Sequence, residues 1–196
     1  MFVWRGLCSV HWQLGGMVLV PKDAFQEPEW APLLDDVWKT IGVAFGASRV
    51  ARKAEIDAAG TRDSRLQLLR DARDEGGVVQ VKENGLVYEF DATLCMFSSG
   101  NVTEKARMGR VDAGGQVVVD LYCGIGYFTI PLLVHAGAQH VHACDWNPHA
   151  AAAMRRNAEL NHVSDRITVY EGDNRCGRTN PALAIRSLGS HRVLLC

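Results

Sequence analysis

The sequence predicts an α/β protein in which a parallel sheet follows a small α+β domain. Strand-like and helix-like segments alternate from residue 116 onward, and the turns that join them are short. The region before residue 96 instead carries alternating apolar runs and one helical pattern. Strands and helices that alternate in this way are typical of parallel strands with right-handed crossovers. We therefore expect two domains, 1–95 and 96–196, the second of them a partial domain.

The first domain is predicted from four local patterns. Residues 15–21 indicate a short strand that ends at a proline, and the apolar spacing of 29–46 predicts an amphipathic helix. Residues 48–69 indicate two strands around a polar loop. Residues 78–91 contain two alternating runs around Asn84-Gly85, which is the strongest short hairpin signal.

The second domain is predicted as alternating strands and helices. Asn101, with Glu104 three residues later, indicates a helix start, and Asn147 followed by Pro148 indicates another. The predicted strands are 117–121, 140–144, 167–171 and 191–196, and the predicted helices between them are 127–137 and 148–161.

Composition excludes several classes of protein. The net charge of −1 gives no overall nucleic-acid signature, so any RNA contact must come from local patches. The six cysteines form no C-x-x-C pair and the seven histidines show no metal spacing, which favours a reducing cytosol over a zinc or disulfide framework. His140 and His142 are interpreted as a solvated or core pair. We expect a cytoplasmic monomer without a metal and without a membrane-spanning segment.

The stretch 117–131, "VVVDLYCGIGYFTIP", raises the question of the ligand. Gly124 and Gly126 follow a predicted strand, but Thr129 stands where the dinucleotide fingerprint requires a third glycine. Acids lie at the ends of three predicted strands, namely Asp120, Asp145 and Asp173. Ligands of parallel α/β sheets bind beyond the carboxyl ends of the strands, so these acids and the glycine turn indicate one site.

The positions of the acids favour an adenosyl ligand. An acid at the second strand end can accept hydrogen bonds from both ribose hydroxyls, worth ~1.5–3 kcal/mol, and would repel a 2′-phosphate. An acid at the third strand end can accept a hydrogen bond from the adenine amine. NAD and S-adenosylmethionine both satisfy these conditions. The bulky Tyr127 and Phe128 leave no clear cradle for a pyrophosphate, which favours S-adenosylmethionine.

Four motifs carry a resemblance to a known family. "DLYCGIGYFTIP", "ACDWNP" and "EGDNR" resemble the S-adenosylmethionine motifs of class I methyltransferase-like enzymes that modify the base beside the tRNA anticodon. "CMFSSGNVTEKAR" (95–107) resembles the tRNA wybutosine-synthesizing protein 2 family rather than the sister tRNA guanosine N1-methyltransferases. The resemblance runs from Gly15 to Arg175 and implies a class I, Rossmann-like parallel sheet that is incomplete after its fourth strand.

The resemblance also implies which residues bind S-adenosylmethionine. Ser98 and Lys105 would hold the methionine end; their spacing of seven would place them on one face of a continuous helix. Asp145 would take the ribose, in place of the family's common glutamate. The family's other contacts fall on Asp173 and Asn174, which would frame the adenine, and on Gly124 and Gly126, which would shape the floor of the binding site. We add the strand-end Asp120 to the binding residues. No general base is identified.

The implied reaction moves the 3-amino-3-carboxypropyl group of S-adenosylmethionine to C7 of 4-demethylwyosine at position 37 of tRNA(Phe), so the implied partner is the anticodon loop of that tRNA. Five basic residues are candidate phosphate contacts, namely Arg49, Arg52, Lys53, Arg155 and Arg156.

Two alternatives stay open. The first is a tRNA guanosine-37 N1-methyltransferase on the same fold. The second is an inactive, truncated fragment that binds S-adenosylmethionine or RNA, because a sheet that stops after four strands leaves an exposed edge.

Overall fold

The computed structural model describes residues 13–54, 64–98, 100–174 and 193–195. The chain divides into two compact units: Met1–Val81 with Asp91–Met96, and Lys82–Phe90 with Phe97–Cys196. The predicted polar loop falls largely on 55–63, outside the described residues. Each unit is described by itself.

The first unit contains a four-stranded mixed sheet formed by β1 (Gln13–Leu14), β2 (Met17–Val20), β3 (Arg49–Arg52) and β4 (Gln67–Asp71). The strands lie side by side in the order β1-β2-β3-β4. Strands β2 and β3 are parallel, whereas the pairs β1–β2 and β3–β4 are antiparallel with a bulge in β3. The strands predicted in 15–21 and 48–69 are therefore present.

Helix α1 (Leu34–Ala44) covers this sheet with the buried side chains of Trp38 and Ile41. It begins five residues later than the sequence predicts, because Pro28–Leu33 forms a 3-10 helix. Pro32 lacks a backbone N–H and disfavours the α conformation of the residue before it, so the regular helix starts only after this proline.

The predicted hairpin is formed by β5 (Val78–Glu83) and β6 (Leu86–Asp91). Asn84 and Gly85 have φ values of 52° and 79°, the left-handed pair that a tight two-residue turn requires. Its turn end, Lys82–Phe90, groups with the second unit.

The second unit is built on a parallel sheet of β7 (Val117–Asp120), β8 (His140–Asp145), β9 (Ile167–Glu171) and β10 (Val193–Leu195). These strands lie side by side in the order β10-β7-β8-β9. Strand β7 is buried on both faces, as its continuous run of valines predicts. The chain runs outward from β7 to β9 and returns to the other side of β7, so the strand order reverses beside β7.

Three helices belong to this unit: α2 (Val102–Met108), α3 (Thr129–Val134) and α4 (Pro148–Leu160). The Asn147 side chain caps α4 by accepting hydrogen bonds from the backbone N–H groups of His149 and Ala150, as predicted. Helix α3 is shorter than the predicted 127–137.

The start predicted for α2 is wrong in its detail. Asn101 precedes the helix with a left-handed φ of 55°, and its side chain makes no capping hydrogen bond. The carboxylate of Glu104 pairs with Arg107 instead of reaching back to the backbone of Asn101. No capping box forms, because the backbone geometry at Asn101 is not the extended one that a cap needs.

Candidate ligand site at the strand tips

A glycine turn joins β7 to α3 and touches the tip of β8. Gly124 has a φ of 53°, and its backbone N–H donates to Asp145 Oδ2 at 2.8 Å. Gly126 has a φ of 103°, and a Cβ there would lie 2.6 Å from Met154 Sδ. The turn therefore needs glycine at both positions for different reasons: a hydrogen-bonded left-handed turn at Gly124 and close packing on α4 at Gly126.

Asp145 is the last residue of β8 and is half-buried at this edge. Besides the Gly124 N–H, its carboxylate accepts the Asn147 N–H at 2.9 Å through Oδ1. Within the described part of the chain these two hydrogen bonds fix the side chain, and its two oxygens have further lone pairs that can accept donors from a ligand.

Asp120 lies below the turn rather than at its surface. The carboxyl group is fully buried; Oδ2 accepts the Thr129 hydroxyl at 2.7 Å and Oδ1 accepts the Tyr122 N–H at 3.2 Å. Burial, together with the nearby charge of Asp145, raises the pKa of Asp120 to about 6, although both hydrogen bonds lower it. In this structure Asp120 braces the turn from below through these two hydrogen bonds, and its contact with a ligand stays a prediction.

The third strand end is tied to the first two. Asn174 donates to the backbone carbonyl of Leu121 at 2.6 Å, and the Gly172 N–H donates to the carbonyl of Asp145 at 2.9 Å. Asp173 lies between them and is half-buried. The predicted residues Asp145, Asp173 and Asn174 thus come together at one edge of the sheet.

Two buried thiols lie beside these acids. Burial, with the charges of Asp120 and Asp145, raises the pKa of Cys123 well above its usual range and that of Cys144 to about 12. Both thiols therefore stay protonated and are poor nucleophiles, so they provide packing rather than covalent chemistry.

A second cluster surrounds Lys105, whose side chain is only 2% exposed. Its ammonium group donates to the Ser98 carbonyl at 2.6 Å and lies 3.0 and 3.2 Å from the two carboxylate oxygens of Glu83. The ammonium also lies 4.4 Å from the ring centroid of Tyr127 and 5.1 Å from that of Phe97. These contacts fix a buried cation in one position.

Tyr127 connects this Lys105 cluster to the glycine turn. It follows Gly126 directly, its hydroxyl accepts the Ser98 N–H at 2.8 Å, and its ring faces Lys105. In the sequence, Tyr127 was only an argument against a pyrophosphate ligand. In the structure, it contacts both the Lys105 cluster and the glycine turn.

The expectation that Ser98 and Lys105 share one helix face is wrong. Helix α2 begins at Val102, so Ser98 precedes it, and the carbonyl of Ser98, not its hydroxyl, contacts Lys105. Glu83 was missed, since 22 residues separate it from Lys105. Only the Asn84-Gly85 turn signal, which places Glu83 at the end of a strand, could have drawn attention to it.

The basic residues predicted to contact phosphates have partners within the protein. Arg49 is 5% exposed and donates to the carbonyls of Gly15 and Gly76 at 2.9 and 3.1 Å. That prediction is therefore wrong for Arg49, whose guanidinium satisfies buried carbonyls. Arg52 donates to the Ala24 carbonyl and to Gln67, Arg155 pairs with Glu171, and Arg156 pairs with Glu89 and Glu159. For Arg52, Lys53, Arg155 and Arg156 the phosphate contact stays a prediction.

The histidine pair of β8 is packed within the sheet. His140 bonds the Thr168 hydroxyl at 2.9 Å and His142 bonds the Tyr170 hydroxyl at 3.0 Å. Burial lowers the pKa of both histidines.

Across the described residues, no group of three or more potential metal ligands comes together. Within the same residues, no helix is long and apolar enough to cross a membrane.

A parallel sheet whose strand order reverses beside β7, with the glycine turn at that point, is the arrangement of class I S-adenosylmethionine-dependent methyltransferase-like domains. The fold class predicted from the sequence is thereby confirmed. The family model described as "TRM5/TYW2 methyltransferase domain" matches residues 79–183. The chain belongs to this family.

Named relatives agree with the family. Human tRNA wybutosine-synthesizing protein 2 homolog is 48% identical over 165 residues, which are 84% of this chain and 36% of that protein. Arabidopsis thaliana tRNA wybutosine-synthesizing protein 2/3/4 is 49% identical over 163 residues, 83% of this chain and 16% of that protein. The chain thus spans well under half the length of these relatives.

Solved structures of other proteins share this fold. The structure of P. horikoshii TYW2 in complex with MeSAdo is 30% identical and superposes with a TM-score of 0.68 over 85% of this chain and 56% of that one. The complex of aTrm5 with tRNALeu, 22% identical, has a TM-score of 0.68 over 82% of this chain and 47% of that one, and shows the fold alone.

Proposed function

We propose that this chain is the donor-binding part of an enzyme of wybutosine biosynthesis. The enzyme transfers the 3-amino-3-carboxypropyl group of S-adenosylmethionine to C7 of 4-demethylwyosine at position 37 of tRNA(Phe). The observation that carries the proposal is the position of Tyr127, which joins the adenosine side of the site at Gly124 and Gly126 to the buried cation Lys105. The names of the relatives support the choice of reaction.

The strand-tip residues fit an adenosyl group. We assign the ribose hydroxyls to the carboxylate of Asp145, and the adenine amine and ring nitrogen to the neighbouring Asp173 and Asn174, which carry an acceptor and a donor group. Gly124 presents no side chain; among the described residues, a Cβ there would meet the Tyr127 ring alone, at 3.6 Å. A nucleoside can therefore approach the backbone closely.

The Lys105 cluster fits the amino-acid tail. An ammonium group has three donors; among the described residues the Ser98 carbonyl and Glu83 take two, which leaves one for a ligand carboxylate. The aromatic rings around Lys105 exclude water, so this charge-assisted hydrogen bond is stronger than it would be in solvent.

Holding the tail decides which bond breaks. The sulfonium activates both the methyl carbon and the γ-carbon of the tail, so the outcome depends on which carbon faces the base. In the proposed reaction a C7–Cγ bond forms, the Cγ–S bond breaks, methylthioadenosine leaves with the electron pair, and the C7 proton is lost to a base.

The RNA partner is the anticodon loop, where a base can leave the stack at lower cost than in a duplex. We propose that the enzyme acts as a monomer in the cytoplasm.

The test uses two separately labelled samples of S-adenosylmethionine with precursor tRNA. We expect label at the carboxyl carbon to enter the RNA and label at the methyl group to leave in methylthioadenosine. A parallel sample of the same tRNA with unmodified guanosine at position 37 tests the alternative: methyl label that enters this RNA would instead establish a guanosine-37 N1-methyltransferase. Binding of S-adenosylmethionine with no label in the RNA would establish a ligand-binding fragment without activity.

A further inference from the structure

Glu83 is an acid outside the four motifs that pairs with the buried Lys105. It ends β5 at the Asn84-Gly85 turn, and its side chain is 14% exposed. Oε2 hydrogen-bonds the Lys105 ammonium at 3.2 Å. Oε1 lies 3.0 Å from the same ammonium but is buried without an aligned hydrogen-bond partner.

The buried Lys105–Glu83 ion pair costs folding free energy, which suggests a role in binding. A buried ion pair gains little over an apolar pair of similar size, and a buried carboxylate oxygen without a hydrogen bond adds a further cost. The Lys105–Glu83 pair is therefore better explained by binding than by stability. Counted over the described residues, Lys105 keeps one N–H donor for a ligand, and Glu83 Oε1 keeps acceptor capacity beside it.

The ligand that matches this pair is a zwitterion. The tail of S-adenosylmethionine carries a carboxylate and an ammonium on the same carbon. Lys105 can donate to the carboxylate, and Glu83 Oε1 can accept from the ammonium.

We infer that Glu83 determines specificity for the amino-acid tail: it holds Lys105 through Oε2 and accepts the α-ammonium of the tail through Oε1. This inference rests on the proposed function, since it assumes that the adenosyl ligand lies on the neighbouring glycine turn. It adds to that function the reason why a methionine tail, and not a tail with a carboxylate alone, is accepted.

The test compares ligands with and without the tail. In calorimetry, Glu83→Gln should weaken binding of S-adenosylmethionine and S-adenosylhomocysteine by about tenfold or more, which corresponds to about 1.4 kcal/mol. Binding of methylthioadenosine, which lacks the tail, should not change. The matched control is Glu89→Gln on the same hairpin, since Glu89 pairs with Arg156 at 2.7 Å and should leave all three affinities unchanged.

A second variant checks the coupling. In a Lys105→Met background, Glu83→Gln should weaken S-adenosylmethionine less than it does in the wild-type chain, because the two residues bind one tail. Equal weakening of methylthioadenosine would show that Glu83 only supports the fold and would overturn the inference. Unchanged or tighter binding of S-adenosylmethionine would overturn it too. A wild-type chain that binds none of the three ligands would refute the proposed function instead.

Discussion

The ammonium group of Lys105 lies 4.4 Å from the centroid of the Tyr127 ring. A cation held over an aromatic face in a buried site is fixed more firmly than one in solvent. Since Tyr127 immediately follows the glycine turn, any change in that turn is expected to move the cation that would hold the ligand tail. The glycine turn therefore affects the site in two ways: it forms the backbone surface at the strand tips, and through Tyr127 it positions the ammonium group of Lys105.

The first prediction concerns the two glycines of that turn. Gly126→Ala should lower the free energy of unfolding by about 2–4 kcal/mol, because a left-handed conformation and a clash add together. The new Cβ would meet Met154 Sδ at 2.6 Å and Ile130 Cγ1 at 2.9 Å. Urea denaturation measures the loss.

Gly124→Ala is the matched control for this prediction. Its Cβ would lie at an ordinary contact distance of 3.6 Å from the Tyr127 ring, so we expect a loss of about 1–2 kcal/mol from conformation alone. Equal losses at the two positions would show that packing on α4 does not set the requirement for glycine.

The second prediction concerns pH. Asp120 has a pKa of about 6 in the folded chain against 3.8 as the reference, so the folded state keeps its proton longer than the unfolded state. Stability from this group is complete below about pH 4 and is lost as pH rises towards 6, by about 3 kcal/mol in total. Asparagine does not ionise, so Asp120→Asn should gain stability relative to wild type across this interval.

Chemical denaturation at pH 4 and pH 7 measures that difference. The expected result is a larger stability advantage of Asp120→Asn at pH 7 than at pH 4. If the difference in stability between Asp120→Asn and the wild-type chain does not vary with pH, burial does not raise the pKa of Asp120.

Local signals in the sequence predicted most of the second unit. Asn147 caps α4 and Asn84-Gly85 makes the hairpin turn, because each works through atoms within a few residues. The parallel direction of the strands followed from the alternation of strands and helices, and the meeting of Asp145 with the glycine turn followed from their places at the carboxyl ends of neighbouring strands.

The remaining differences come from contacts that a local pattern does not contain. Arg49 looks like a surface cation in sequence, but it satisfies carbonyls 27 and 34 residues away. Asp120 looks like Asp145 at a strand end, yet its side chain pairs with Thr129 below the turn. Whether the side chain of a strand-end acid is buried or reaches the surface depends on the residues that pack around it. A local sequence pattern does not contain those contacts.

The central claim is that an adenosyl ligand binds at the strand tips through Asp145. Calorimetric titration of S-adenosylmethionine into the 196-residue chain and into Asp145→Asn tests it most directly, with the exposed Asp165→Asn as the control. We expect binding that Asp145→Asn weakens about ten- to a hundredfold, because charge-assisted hydrogen bonds to the ribose are worth about 1.5–3 kcal/mol. Asp165→Asn should bind as wild type does. Equal affinity in all three proteins would contradict the claim.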